Sequence, residues 1–366
     1  MDHFPEGNAI VYCEGAFGTP NGKTAHGLVR RTKRYHVLTV IDSTRAGQDS
    51  GTILAGKPNG VPVSSDVQKA VNVFKEGPHP VTHLVIGLAP DGGRLSPNAR
   101  KDVIQAITMG LHVDSGLHDF LSEDEEIARL AAKYGVTLRD IRKPPHRKDL
   151  HFFSGKIEQV TSFKVAILGT DSAIGKRTTS WILWDAFLSE GYSAELIGTG
   201  QTAWMQGVRY GLILDSLVND FVSGEIEHAV WQAWDEAHPQ VIIIEGQGSL
   251  MNPAYPGGFE ILAAGRPDVV ILQHAPARKE YDGFPGYPIH PLEKQIQAIE
   301  LLSGKPVAAI TINHENMEKE SIPDVCKKLS KTIDLPVCDV LEQGAGLIVD
   351  ALKSKAQGAG RKARGA

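Results

Sequence analysis

The 366 residues contain only three cysteines, Cys13, Cys326 and Cys338, with no C-x-x-C pair, so neither a thiolate metal site nor a disulfide framework is expected. Long apolar runs are also missing: stretches such as 165–168 and 241–244 fall far short of the roughly 20 residues a membrane span requires. A net charge of −5 gives no basic footprint for nucleic acid. The first dozen residues lack a basic stretch followed by an apolar one, so no secretory signal is read there, and a cytoplasmic setting is expected. No G-x-G-x-x-G occurs, which removes the usual dinucleotide fingerprint. What is present, 42% hydrophobic and 22% charged residues, is ordinary globular composition, and the length predicts two or three domains.

Short β-branched runs alternate with helical patterns throughout, the signature of parallel α/β architecture. In the first half, strands are predicted at 9–14, 36–42 and 83–88. Helices are predicted near 23–31, 65–76, 97–110 and 123–134, the last opening at Ser122 and its acidic neighbours. The segment 139–148, RDIRKPPHRK, carries two prolines and six basic side chains, and reads as irregular chain between domains. A second α/β series follows, with strands at 164–168, 194–197, 241–245, 268–273, 306–312 and 336–341. A helix at 225–236 presents Ile226, Ala229, Val230, Ala233 and Trp234 on one face. Trp181, Trp184 and Leu188, at helical spacing, are expected in a core. The resulting organisation is α/β: a Rossmann-like N-terminal domain (1–138), a linker (139–163), a P-loop NTPase-like parallel-sheet domain (164–350) and a flexible tail (351–366).

The strongest motif is KVAILGTDSAIGKRTTSW, residues 164–181. An apolar strand runs into a glycine-containing loop, then Gly175-Lys176, then a helix. That order lets backbone N–H groups and the start of a helix cradle a phosphate while lysine neutralises it. Gly169, Thr170, Asp171, Ser172, Ala173, Ile174, Gly175, Lys176, Arg177, Thr178 and Thr179 are therefore the cofactor-binding candidates. Two features are unusual. Five residues separate Gly169 from Gly175 where the common loop has four, as in the dethiobiotin synthetase branch of P-loop enzymes. The residue after the lysine, where Ser or Thr normally ligates Mg²⁺, is Arg177. The loop thus reads as a nucleotide or pyrophosphate site without hydrolysis, and no metal is expected.

Glu245 ends an apolar strand and is followed by Gly246-Gln247-Gly248. It reads as a metal-linked acid, a general base or an ammonium ligand at the carboxyl edge of a sheet. The run 198–202 and His274 are weaker candidates, and Asp215 with Asn219-Asp220 suits helix capping. In the first domain, Gly22-Lys23-Thr24 imitates the end of a phosphate loop, but Pro20 interrupts it. Asp42 and Arg45 together suit a small zwitterion, with Arg142 and Lys143 as further cations if the two domains face each other.

The combination of residues 169–179 with Asp140-Ile141-Arg142-Lys143-Pro144-Pro145, the Gly22–Leu28 stretch and Glu245-Gly246-Gln247-Gly248 resembles the D-glutamate N-acetyltransferase family. That family was formerly filed as domain of unknown function 1611. The resemblance implies a Rossmann-like first domain, a P-loop second domain, and acetyl transfer from acetyl-CoA to the amine of D-glutamate in D-amino acid catabolism. Under it, the loop binds the cofactor phosphates, Arg45, Arg142 and Lys143 hold the acceptor's carboxylates, and Asp42 or Glu245 takes the proton. The Gly246–Gly248 amides are candidate oxyanion donors. A homo-oligomer with a small-molecule substrate, and with no nucleic-acid or membrane partner, is expected. The alternatives are a Mg–ATP-dependent carboxylate-activating kinase or ligase, with Thr178 supplying the hydroxyl, a non-catalytic nucleotide-binding sensor, and an NAD-linked enzyme using the first domain.

Overall fold

A computed structural model describes residues 5 to 353, which divide into two units, 5–145 with Gln201–Gly207, and His146–Gly200 with 208–353. The first unit holds β1 (Gly7–Tyr12), β2 (Tyr35–Ile41), β3 (Val63–Ser64), β4 (His83–Ile86), β5 (His112–Ser115) and β6 (Leu138–Asp140). Every pairing is parallel and the order is β3-β2-β1-β4-β5-β6, the Rossmann arrangement. Alternation along β1 explains the two-sided core. Ile10 and Tyr12 join Leu84, Ile86, Val103 and Val113 on one face, and Ala9 and Val11 join Val40, Val85 and Leu28 on the other.

Helix ends in this unit follow local chemistry. Pro97–Thr108 starts at Ser96, whose side chain accepts from Ala99 N, with proline in the first turn. Glu125–Tyr134 is capped by Asp124, which accepts from Glu126 N and Ile127 N, and is closed by Gly135 at φ 67. The cap is thus Asp124 and not Ser122.

The second unit holds β7 (Phe163–Gly169), β8 (Ala194–Gly198), β9 (Tyr210–Gly211), β10 (Val241–Glu245), β11 (Val269–His274), β12 (Val307–Ile312) and β13 (Val337–Cys338). The sheet is again wholly parallel, in the order β13-β12-β11-β7-β10-β8-β9. β7 and β10 are buried at every position, as strands covered on both faces must be. β7 lies between β10 and β11, so the loop leaving β7 is flanked by the carboxyl ends of Glu245 and His274.

Several expectations change. The segment 139–163 is not one linker: Arg139 and Asp140 complete β6, and the unit boundary falls after Pro145. β5, short and polar, was missed. The predicted strand at 336–341 shrinks to Val337–Cys338, because Asp339 accepts from Leu341 N and Glu342 N and starts the helix Val340–Gln343. Trp181 is buried, but Leu188 is exposed at the far end of its helix. Helix Asn219–Ala237 begins after Val218 without a side-chain cap, so Asn219 and Asp220 do not cap it. Of the expected tail, 351–353 are helical and the remainder lies outside the described residues. No helix among the described residues is long and apolar enough to cross a membrane.

Candidate functional site

β7 delivers Gly169 to the loop, and the helix Lys176–Ser189 leaves it. Ala173 at φ 50 and Gly175 at φ 99 both lie in the left-handed region. Such alternation at a helix N-terminus turns successive N–H groups toward one concavity, the backbone arrangement that binds anions. Only glycine accepts φ 99 without strain, while Ala173 carries local strain of the kind that gathers at binding sites.

Lys176 lies across this loop. Its Nζ donates to the Asp171 carbonyl at 2.7 Å. Its stem fills the space beside Gly169 and Gly246, where an added Cβ would stand 2.9 and 3.0 Å from Cδ. Burial lowers the lysine from its ordinary 10.5 to about 8, against the opposing pull of Asp171 and Glu245. An ammonium in that position is short of partners that a phosphate would supply.

The eleven loop candidates separate into two groups. Asp171, fully buried, accepts from Arg278 Nη1, Asn252 Nδ2 and Asp282 N at 2.8 Å each, and from Ser172 N at 2.7 Å. It organises the loop. Thr170 bonds His274 Nδ1 at 3.0 Å, Ile174 packs inward, and Thr179 donates to Gln273 Oε1 at 2.6 Å. These side chains build the scaffold. Gly169, Ser172, Ala173, Gly175, Lys176, Arg177 and Thr178 form the remainder, with Ser172 Oγ donating to Asp282 at 3.1 Å.

Glu245 pairs in register with Ile167 of β7 and is almost wholly buried. Thr199 N donates to its Oε2 at 2.9 Å. Burial raises its carboxyl above the usual range, while the Arg177 guanidinium, the Thr199 amide and Lys176 pull the other way. Gly246 is obligatory: a Cβ there would lie 1.9 Å from the Ile167 carbonyl.

P-loop folds commonly carry Mg²⁺ between the hydroxyl after the lysine and a strand-end acid. These residues do not fit it. Arg177 replaces the hydroxyl, Thr179 is committed to Gln273, Asp171 has four donors, and Glu245 faces two cations.

In the first unit, Asp42 is fully buried and caps the 3₁₀ turn Ser43–Arg45. Its Oδ1 accepts from Thr44 N and Oγ1 at 3.0 and 2.6 Å, and its Oδ2 from Phe17 N at 2.9 Å. Arg45 is exposed and lies against Gly18, where an added Cβ would meet Nη2 at 2.7 Å. Arg142 Nε donates to the Gly116 carbonyl at 2.7 Å, and Lys143 Nζ reaches Ser122 Oγ at 3.0 Å and Glu123 at 3.1 Å. The structure does not gather these cations: β2 and β6, whose ends they follow, are four strand spacings apart, ~19 Å.

Residues that sequence reasoning missed hold the phosphate loop. Gln273 also accepts from Thr311, and Asn313 Nδ2 donates to the Ile174 carbonyl at 3.1 Å. Asn252 and Arg278 clasp Asp171. The available signal was their place at or just beyond a strand's carboxyl end. His274, its bond to Thr170 made, is held near 4 by burial and serves as a structural partner.

Comparison with known proteins places this geometry among relatives. The DUF1611_C domain of unknown function, a P-loop domain, matches residues 151–349, and the DUF1611_N Rossmann-like domain matches residues 43–144. A D-glutamate N-acetyltransferase of Tritonibacter scottomollicae is 30% identical over 74% of this chain and 80% of its own length. One from a Pseudoalteromonas species is 32% identical over 73% and 80%. The crystal structure of a DUF1611 family protein from Anabaena variabilis superposes with a TM-score of 0.88 at 27% identity, covering 95% of this chain and 100% of that one.

Proposed function

The chain belongs to the DUF1611 family, and on that premise we propose that it transfers acetyl from acetyl-CoA to the amino group of D-glutamate. The observation that carries this reading is a phosphate loop with Arg177 at the magnesium-hydroxyl position. Such a loop suits a cofactor whose phosphates are bound and never cleaved. The activity named for the two relatives supplies the reaction class.

The loop backbone, Gly175, Lys176, Arg177 and Thr178 bind the phosphates of the cofactor. The neutral amine of the acceptor attacks the thioester carbonyl. The C–N bond forms, the C–S bond breaks, and the thiolate leaves and is protonated. The ammonium must first lose a proton. Asp42 is poorly suited to take it, with both oxygens engaged by Phe17 and Thr44. Glu245 faces the loop's cations, and the whole pantetheine arm separates the phosphates from the thioester. We therefore assign Glu245 to holding those cations, and proton removal to a group at the thioester end. Arg45, exposed and basic, is the candidate for an acceptor carboxylate.

The test is thiol release from acetyl-CoA with D-glutamate, L-glutamate or other amino acids, without ATP or Mg²⁺. Release that depends on D-glutamate supports the proposal. No release with any acceptor, but turnover with Mg–ATP and a carboxylate, moves the assignment to the ligase class.

A further inference from the structure

We propose that the Arg177–Glu245 pair is the resident cation site of this phosphate loop, standing where other P-loops hold magnesium, so that the chain binds the pyrophosphate of its nucleotide cofactor without metal. The inference rests on reading the loop as the site of a phosphorylated cofactor, and it deepens that reading by assigning who neutralises the charge.

The argument begins with position. Arg177 is the second residue of the helix Lys176–Ser189, one place beyond a lysine whose ammonium lies under the loop. In a metal-dependent loop that place carries a short hydroxyl, and the ion sits between it and the acid at the end of the neighbouring strand. Here the neighbouring strand is β10 and the acid is Glu245. The acid is present, the hydroxyl is not, and a guanidinium has taken its place.

The environment of each group agrees. Glu245 has Thr199 N on one oxygen, and Arg177 heads the charges that favour its ionised form. Arg177 thus brings to this carboxylate positive charge of the kind a divalent ion supplies elsewhere, while burial still holds the carboxyl above its usual range. Two further oxygen ligands near the loop are engaged. Asp171 has four donors, and the Thr179 hydroxyl is committed to Gln273. A planar guanidinium presents donors that match two phosphate oxygens at once, and it keeps its charge at any physiological pH. Gly246, next to Glu245, lets the Lys176 stem pass close by, and the charges of Arg177 and Lys176 both act on that one carboxylate. Unlike an exchangeable ion, a resident cation does not depart with a released phosphate. The site is thereby tuned to hold a pyrophosphate.

Calorimetric titration of the full-length protein with CoA and, separately, with ADP, each in EDTA and in excess Mg²⁺, tests this. The wild type should bind CoA equally well in both buffers. Arg177→Ala, verified as folded by its circular dichroism and melting temperature, should bind ~10- to 100-fold more weakly in EDTA, the usual cost of a charge-assisted bond. Arg177→Lys should recover part of that loss as a point charge without the planar fork. Wild-type affinity that vanishes in EDTA would overturn the proposal, as would unchanged affinity in Arg177→Ala or no binding of either nucleotide by the wild type. Metal-free binding without acetyl transfer would leave this inference standing and remove the proposed reaction. Acetyl transfer with magnesium-dependent binding would do the reverse.

Discussion

Replacing Lys176 by Met should stabilise the protein while abolishing its affinity for phosphate, and the size of the effect follows from burial. The side chain is 7% exposed and its amine titrates near 8, against an ordinary 10.5. That difference corresponds to roughly 3 kcal/mol charged to the folded state whenever the amine is protonated. Below pH 8 both folded and unfolded chains carry the proton, and the cost is fully present. Between pH 8 and 10.5 the unfolded chain holds more protons, so stability rises with pH, and above 10.5 the cost is gone. Met keeps the apolar stem beside Gly169 and Gly246 and loses only the bond to the Asp171 carbonyl, worth ~1 kcal/mol. The variant should therefore be more stable than wild type by roughly 2 kcal/mol at pH 7, with the advantage shrinking through pH 8 to 10.5. Urea unfolding of both proteins at pH 7 and at high pH measures it, provided the m-values agree. CoA should raise the stability of the wild type alone. Equal or lower stability of Lys176→Met at pH 7, or an advantage that does not change with pH, would refute the burial argument.

Three further outcomes are expected. Arg278→Ala leaves the fully buried Asp171 carboxylate without its cation and should cost ~3–5 kcal/mol in urea unfolding, with Asp171→Asn in the same background recovering part of the loss. Gly246→Ala forces a methyl to 1.9 Å from the Ile167 carbonyl and should lower the melting temperature and CoA affinity together; a variant indistinguishable from wild type would mean that β7 and β10 yield there freely. Glu245→Gln should weaken CoA binding about 10-fold with kcat nearly kept, because it loosens Arg177, whereas a ~100-fold fall in kcat at unchanged CoA affinity would identify Glu245 as the base.

What the sequence disclosed and what it withheld divide along a physical line. β10 was read at its exact limits, Val241–Glu245, because four consecutive apolar residues ending in a carboxylate and glycines leave one conformation that buries them. The loop after β7 was legible because its chemistry is local: the glycines, the lysine and the helix start are adjacent in the chain. β5 escaped because His112, Asp114 and Ser115 carry no apolar run, and it pairs only through neighbours, with Asp114 compensated by Tyr35 and Arg139 from distant segments. The same reason hid the supports of the phosphate loop. Asn252, Gln273, Arg278 and Asn313 lie 81 to 139 residues from their partners in that loop, and only their place at or beyond a strand's carboxyl end marks them.

Asp42 shows the reverse hazard. A strand-end aspartate followed by Ser-Thr-Arg has two uses, ligand and cap, and the sequence pattern fits both. Tertiary structure adds the Phe17 amide, which arrives from the loop after β1 and bonds the oxygen that the turn leaves open, so the cap reading is favoured. Glu245 differs in kind. The sequence put it at the right edge of the sheet, yet its role turns on which charges stand against it, and that is set by Arg177 on another element. A motif read along the chain therefore locates the phosphate site. Under the metal-free binding proposed above, what the site does with a phosphate depends on Arg177 acting together with a carboxylate 68 residues away.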